Sequence, residues 1–337
     1  RLGYPVELVG KKGLKPKPSV ASISISNNSY NFLKKLKLKN LEKISNPINS
    51  IKLYENHKDY LDPDSIFYNK TKKIPLSYIV LKDKLYEELS GEIKNLKIKK
   101  VYTPNKYALT INTVYNDTKK KDLSWDYKED AFTFIIKHEK LLNNCSRQFF
   151  LSDGPLAFLP INQNNTSLVW SLSKNSEMRK IVNSKLSLEK YLNSNFLIYK
   201  NVKLNSKIES FSLKFNFLTC GIEPRRINIG DISHRIHPIA GQGWNMTVRD
   251  IKQLYDVYQD KKKYGYDFGD FSLLEEYEKK TKINNFVFAS SIDLIRRIFK
   301  FNNKRISNLR KSGFRQLDKF PDLKNEIIKF ADEGLSL

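Results

Sequence analysis

Residues 226–250, RINIGDISHRIHPIAGQGWNMTVRD, decide how the chain is read. Ile227 and Ile229 alternate as on a strand that ends at Gly230-Asp231. After a loop punctuated by Gly and Pro, an apolar stripe starts at helical spacing with Val248, Ile251, Leu254/Tyr255 and Tyr258, so the local order is strand, loop, helix. Gly241 and Gly243 flank Gln242 in the loop, and without Cβ atoms they let backbone N–H groups approach a flat or anionic ligand. Asn245 stands where a helix N-cap is expected, and a helix N-terminus aimed at that ligand favours negative charge on it. A polar loop capping a helix would account for Asp231, His234 and His237, but it leaves the glycines without a purpose.

Gly230-Asp231, His234, His237-Pro238, Gly241-Gln242-Gly243, Asn245 and Arg249-Asp250 together resemble the second flavin-contacting motif of the flavoprotein aromatic hydroxylases, in particular the branch that hydroxylates ubiquinone precursors. The resemblance implies that Asp231 holds the ribityl chain of FAD and that the turn of Pro238, Gly241 and Gly243 packs on the isoalloxazine ring. Gly230, Gln242 and Asn245 complete the implied cofactor-binding set. Thr247 departs from the pattern, where relatives usually have Gly, and is expected to crowd the helix start.

With 337 residues and 40% hydrophobic content the chain can bury a sizeable core. No run of about eighteen apolar residues exists, so no helix-forming membrane span is expected. The opening Arg1-Leu2-Gly3 lacks both Met and a charged-then-apolar leader, and the true N-terminus is expected upstream. Cys145 and Cys220 make neither a disulfide framework nor a metal cluster, in keeping with a reducing cytoplasm. A formal charge of +24 is compatible with nucleic acid or an anionic bilayer. Because the excess is mainly Lys spread along the chain beside abundant Asn and Ile, it reads as compositional, and a nucleic-acid role is set aside. Loose attraction to an anionic membrane surface is retained.

In order along the chain, residues 1–10 read as a helix end, a turn and a short strand, Val6 to Val9, which the resemblance makes the second strand of an FAD-binding Rossmann unit. The first strand and the G-x-G-x-x-G loop that seats the pyrophosphate are then expected upstream. Gly10 falls where an acidic residue normally binds the adenosine ribose, Glu7 lies in a different register, and Val20-Ala21 fills the place of a flavin-near Arg. After a basic linker over 11–18, residues 22–41 read as a serine-rich stretch leading into a helix with Tyr30, Leu33, Leu36 and Leu41 inward. Residues 48–54, 78–81 and 101–114 alternate as strands, 55–73 read as a loop or crossover, and 82–89 as a helix with Leu85 and Leu89 inward. The family's Asp-Gly motif is missing, and residues 115–124 read as a polar hairpin in its place.

Residues 131–136, 148–151, 154–160, 166–172 and 211–217 read as the strands of a large substrate-side sheet, with 176–192 helical. The resemblance puts Pro155, Leu156, Phe158 and Pro160 on the substrate side of the flavin, although Phe149, Leu156, Phe158 and Trp170 read first as core. Beyond Ile251 the chain reads as helical over 273–285, 286–299 and 317–330, with Val287, Ser291, Leu294 and Ile298 on a stripe and Arg296, Arg297, Lys300 and residues 304–310 on a basic face.

The expected fold is α/β (α+β overall): a Rossmann-like FAD-binding half, incomplete at its N-terminus, an inserted mainly antiparallel substrate sheet, and C-terminal helices. The expected divisions are 1–47 and 91–124 for parts of the FAD-binding region, 48–90 for substrate-side strands and a helix, 125–220 for the substrate sheet, 221–265 for the Gly-Asp motif and its helix, and 266–337 for the helical end. By resemblance the activity is that of an FAD- and NAD(P)H-dependent monooxygenase, which hydroxylates a polyprenylated phenol in ubiquinone biosynthesis through a flavin C4a-hydroperoxide formed with molecular oxygen. The resemblance also implies a peripheral place on the inner membrane and a ubiquinone-synthesis complex as a partner. No catalytic side chain and no metal is expected, since the four histidines (His57, His138, His234, His237) form no ligand set beyond the pair in the motif. A degenerate homologue serving as a scaffold in such a complex is the alternative.

Overall fold

A computed structural model describes residues 2–10, 18–56, 62–69, 74–103, 105–113, 122–300 and 304–335. The chain starts with the short strand β1 (Glu7–Val9), and the serine-rich stretch forms β2 (Ser22–Ser26) and α1 (Asn27–Lys35). Ser26 caps α1 by accepting the Ser29 N–H, and Tyr30, Leu33 and Leu41 are buried with Leu36 packed against them. Next come α2 (Leu41–Ile44), β3 (Ser45–Ile48) and β4 (Ser50–Tyr54). The stretch read as a loop or crossover contains a strand, β5 (Ser65–Tyr68), which pairs antiparallel with β4. β6 (Ser77–Leu81) leads directly into α3 (Lys82–Asn95), with Leu85 buried. The alternation over 101–114 does not make one strand. Instead β7 (Lys99–Val101) and β8 (Thr110–Asn112) each find a parallel partner in a different sheet. The expected linker falls mostly, and the expected hairpin largely, outside the described residues.

The substrate-side strands are β9 (Asp122–Lys137), β10 (Cys145–Leu151), β11 (Gly154–Pro160) and β12 (Asn165–Ser173). The expected helix over 176–192 is two helices, α4 (Met178–Val182) and α5 (Lys185–Asn195), because Ser184 caps the second by accepting the Ser187 N–H. Then follow β13 (Lys203–Leu204), β14 (Glu209–Leu218), β15 (Ile222–Glu223), β16 (Arg226–Asn228) and β17 (His234–Arg235). The helical end consists of α6 (Gly243–Lys261), α7 (Phe271–Lys300), α8 (Lys304–Leu317) and α9 (Pro321–Glu333). The two helices expected over 273–299 are one continuous α7. The single helix expected over 317–330 is interrupted, and Pro321, which suits a first helical turn, starts α9.

The large sheet runs β17-β14-β9-β12-β11-β10-β4-β5, with β13 also on β9, and only the β10–β4 pair is parallel. A second, antiparallel sheet has the order β2-β6-β3. The Rossmann-like half contains two parallel pairs, β1 with β7 and β8 with β16, the latter extended by β15 antiparallel to β16, and no ladder joins the two among the described residues.

Side chains on the large sheet alternate between two cores. Phe134, Ile136, Phe149, Leu156, Phe158, Leu168 and Trp170 face Leu188 and Leu192 of α5. On the opposite face Ala131, Phe150, Phe215 and Phe217 meet Ile236, Ile239, Met246 and, from α7, Phe288 and Ile292. The β10–β11 hairpin closes at Gly154, whose φ of +133° and distance of 1.9 Å from a built Cβ to the Ser171 carbonyl oxygen leave no room for a side chain. Gly154→Ala is expected to destabilise the chain by at least about 1–3 kcal/mol from backbone strain alone. A urea midpoint equal to that of the parent chain would show that the hairpin tolerates the methyl group.

Candidate cofactor site

Ile227 of β16 and Ile229 just beyond it lie in a core with Leu254, Val257 and Leu274, and the chain then turns sharply through a 3-10 segment, Gly230–Ile232. Gly230 has a φ of +84°, a conformation that disfavours any Cβ. Thr247 faces it, with its methyl carbon 3.5 Å from where that Cβ would sit and its hydroxyl donating to the Gly243 carbonyl at 3.4 Å. The departure at Thr247 is therefore accommodated across the corner. Asp231 follows with its carboxylate exposed.

Both histidines of the motif are buried and bonded within the protein. His234 Nε2 lies 2.6 Å from Asp250 Oδ2, and the other Asp250 oxygen accepts from Asn285 Nδ2 at 2.7 Å. This pins β17 to α6 and α7. His237 precedes the turn, its Nδ1 accepts the Ile239 N–H at 3.2 Å, and its Nε2–H donates to Glu129 Oε2 at 3.0 Å. That pair of partners fixes a neutral imidazole. Glu129 Oε1 also accepts from Arg296 of α7 at 2.5 Å, and the guanidinium lies 4.3 Å over the Tyr127 ring. Burial alone would raise the Glu129 carboxyl, but the hydrogen bonds from His237 and Arg296 hold it below its ordinary range. Burial pulls His237 below its ordinary value, against the opposing effect of Glu129.

Pro238 opens a second 3-10 turn, which closes at Gly241 with a φ of +62°. Gly241 packs on β2, with a built Cβ only 3.3 Å from Ser24 Cβ. Pro238, Gly241, Gln242 and Gly243 are half-buried, so the turn keeps part of its backbone open. Asn245 is not the N-cap: α6 begins two residues earlier, at Gly243, with Gln242 in the capping position. The fully buried Asn245 amide instead accepts from the Ser26 N–H at 2.9 Å and donates to the Ser24 carbonyl at 2.8 Å and to Gln242 Oε1 at 3.2 Å. Its hydrogen-bonding capacity holds β2 against the turn. The first-turn N–H groups of α6 lie at this same corner, where a helix end lacks intrahelical acceptors.

The substrate-side residues divide by strand alternation. Leu156 and Phe158 are core residues against α5, and Pro160 shares their face, while Pro155 lies on the other. The half-buried Ala157, Leu159 and Val169 share that second face, where Val169 packs into the cluster that holds Ile236 and Ile239. The resemblance names Pro155, Leu156, Phe158 and Pro160 and passes over Ala157, Leu159 and Val169, whose shared face follows only from period-two parity. Gly10 is exposed at the end of β1, and Glu7 is held by Tyr107 Oη at 2.8 Å and Asn105 Nδ2 at 3.2 Å, a structural use. The expected basic face is not one face: Arg296 pairs with Glu129, Arg297 with Asp293 at 2.6 Å, and Arg310 with Glu55 at 2.5 Å. No metal-ligating cluster occurs among the described residues.

A Rossmann-like part with parallel strand pairs, a large mostly antiparallel sheet and a helical end make up a fold shared with FAD-dependent aromatic hydroxylases. The chain superposes on p-nitrophenol 4-monooxygenase from Pseudomonas putida with a TM-score of 0.75, covering 98% of this chain and 92% of that one at 10% identity. With Klebsiella pneumoniae HpxO, solved with FAD and uric acid, the TM-score is 0.72 over 98% and 90% at 11% identity. Sequence narrows the likeness to ubiquinone-biosynthesis hydroxylases. The chain is 28% identical over 209 residues to 3-demethoxyubiquinol 3-hydroxylase of Escherichia coli, covering 62% of this chain and 53% of the relative. It is 31% identical over 212 residues to a mitochondrial ubiquinone biosynthesis monooxygenase of Dictyostelium discoideum, covering 54% and 43%. The chain spans about half the length of the curated relatives it matches. No protein-family model matches it.

The buried imidazole carries a pH signature. His237 is neutral in the fold, so below its ordinary value of 6.5 the unfolded chain takes up a proton that the folded chain resists. Stability therefore falls as pH drops through that value, by up to about 1.4 kcal/mol per pH unit for one such group. His138, also lowered by burial, adds a slope of the same sign. His237→Gln should flatten the profile between about pH 6.5 and 5 without abolishing it. Denaturant titrations across that range give the slopes, and identical slopes for parent and variant would refute the assignment.

Proposed function

We propose that the chain forms part of an FAD-dependent monooxygenase that hydroxylates the aromatic ring of a polyprenylated phenol in ubiquinone biosynthesis. The observation that carries this reading is the convergence, at one corner, of the exposed Asp231 carboxylate, the open-backbone turn from Pro238 to Gly243, and the N-terminus of α6. The ring-side part of a flavin fits these residues: a carboxylate to accept a ribityl hydroxyl, glycines that admit a flat ring against the backbone, and a helix end that favours negative charge. Gly230, Asp231, Pro238, Gly241, Gln242 and Gly243 would hold it, with Asn245 fixing the turn from behind. The chain contains no G-x-G-x-x-G sequence, so the pyrophosphate is not assigned to residues of this chain.

When bound, FAD supplies the redox chemistry and the activation of oxygen. The protein's part is positional. Asp231 orients the cofactor, neutral His237 braces the turn without placing a new charge behind it, and the sheet face of Pro155, Ala157, Leu159 and Val169 offers an apolar wall that excludes water from an aromatic substrate. NAD(P)H as electron source, an anionic membrane surface where a lipid-tailed substrate is met, a peripheral place on the inner membrane, and a ubiquinone-synthesis complex belong to the same proposal. So does the division of the chain into six segments.

Asp231→Ala should remove one hydrogen bond to the cofactor, about 0.5–1.5 kcal/mol if it is neutral in character and up to about 3 kcal/mol if charge-assisted. In affinity that is a loss of a few-fold to about a hundredfold. Flavin fluorescence titration of the chain extended upstream through a glycine loop, with and without Asp231→Ala, gives the comparison. Equal affinities, or no flavin uptake by the extended chain, would overturn the reading.

A further inference from the structure

Arg147 is a cation buried without a counter-charge. It projects from β10 on the same face as Phe149, into the core on the α5 side of the large sheet and away from the candidate cofactor turn, and it is only 6% exposed. Its Nη1 donates to the Cys145 carbonyl and to Tyr199 Oη, each at 3.2 Å, and the guanidinium lies 5.7 Å from the centre of the Tyr199 ring. Its Nε–H has no acceptor among the described residues, and the hydroxyl of Tyr54, 1% exposed, has no partner there either. Lys52 stands opposite Arg147 in the parallel β4–β10 ladder, so a second cation shares the face. Neither has an ion pair among the described residues. The phenols do not supply the missing charge: burial outweighs the Arg147 charge and pushes the Tyr54 hydroxyl up to about 12, and it raises Tyr199 in the same way. Burial, with a smaller push from Arg147, pulls His138 below its ordinary range against its hydrogen bond to the Glu139 carbonyl.

We infer that this corner, between β4, β10 and the segment that follows α5, is a binding site for a small inorganic monoanion of the size of chloride. The donors select that class. Arg147 Nε–H and the Tyr54 O–H lack acceptors, Tyr199 has its own O–H to place once it has accepted from Arg147, and the Cys145 thiol is already directed to the Ser146 carbonyl at 3.4 Å. A neutral ligand that accepted these hydrogen bonds would leave the guanidinium charge uncompensated in the interior, whereas an anion answers the donors and the charge together. Tyr54 stacks on Phe149 at 4.5 Å and Tyr199 on Phe158 at 4.8 Å, so aromatic rings rather than solvent surround the donors. Such surroundings suit one singly charged ion and penalise a multiply charged one, whose desolvation costs more. The site lies across the sheet from the flavin corner, and the inference does not depend on the flavin reading.

The test uses bromide for position and chloride for affinity. A crystal of the chain soaked in sodium bromide should show an anomalous peak in contact with Arg147 Nε and Tyr54 Oη. In solution, with ionic strength held constant by sodium gluconate, the thermal unfolding midpoint of the parent should rise with the logarithm of chloride once chloride exceeds its dissociation constant, because an ion that binds only the folded chain stabilises it by mass action. Tyr54→Phe removes a donor that has no protein partner, so in gluconate it should unfold at the parent's midpoint or above it. Its response to chloride should nonetheless begin at a concentration at least about tenfold higher, the loss expected for one hydrogen bond to a charged group. Arg147→Met should remove the response, and Lys180→Met, at a 79% exposed site on α4, should keep it. A parent midpoint indifferent to chloride, an undiminished response in Tyr54→Phe or Arg147→Met, or bromide bound only elsewhere would overturn the inference. So would an equal loss in Lys180→Met, which would assign the response to the general charge of the chain.

Discussion

The Glu129 carboxylate joins three parts of the structure that sequence keeps far apart. It projects from β9 of the large sheet, receives the imidazole at the start of the candidate cofactor turn, and receives the guanidinium of Arg296 from α7. A carboxylate taken out of water costs several kcal/mol unless its lone pairs are satisfied. Here Oε1 takes Arg296, and Oε2 takes His237 together with a longer contact from Arg296 Nε at 3.5 Å, so the carboxylate is satisfied only if the turn and the helix arrive together. His237 in turn uses its second nitrogen to hold the Ile239 N–H. The turn's backbone is therefore set by a charge on the sheet as well as by its own glycines and Pro238.

The strands of the large sheet were legible as short apolar runs that resemble the family's substrate-side strands: 131–136, 154–160 and 166–172 all fall within β9, β11 and β12. β5 was hidden because Ser65–Tyr68 is only four residues long in a polar stretch, and its pairing with β4 is not written in either segment alone. The split of residues 101–114 has the same origin, since strand identity there comes from distant parallel partners around Glu7 and Ile227.

At the candidate site, residue type was legible and residue use was not. Gly230 and Gly241 adopt the positive φ values that justify glycine, and the order strand, loop, helix holds, with the helix starting two residues before the expected cap. Asn245 has the composition of an N-cap, yet its amide is taken by Ser24 and Ser26, partners more than two hundred residues earlier. His234 and His237 face the interior because Asp250 and Glu129 wait there, and neither partner can be inferred from the loop itself. Leu156 and Phe158 show a further limit: alternation says that they share a face, but only the position of α5 says that the face points away from the turn.

The stripe of Val287, Ser291, Leu294 and Ile298 was legible as amphipathic, and its direction was not. The physical reason lies in the buried charges. Arg296 must face Glu129 and Tyr127, and Asn285, three turns earlier, must reach Asp250. Both requirements fix the rotation of α7 about its axis, because residues eleven apart return to nearly the same side of a helix. With that rotation set, Ile283, Leu294 and Ile298 can only point outward. Phe288, Ala289 and Ile292, on the inward side, supply the apolar contact with the sheet. The exposed strip thus follows from the same ion pair that braces the turn: turning α7 to bury the strip would strand Arg296 and Glu129, and an unpaired buried charge costs more than leaving a few apolar side chains in water.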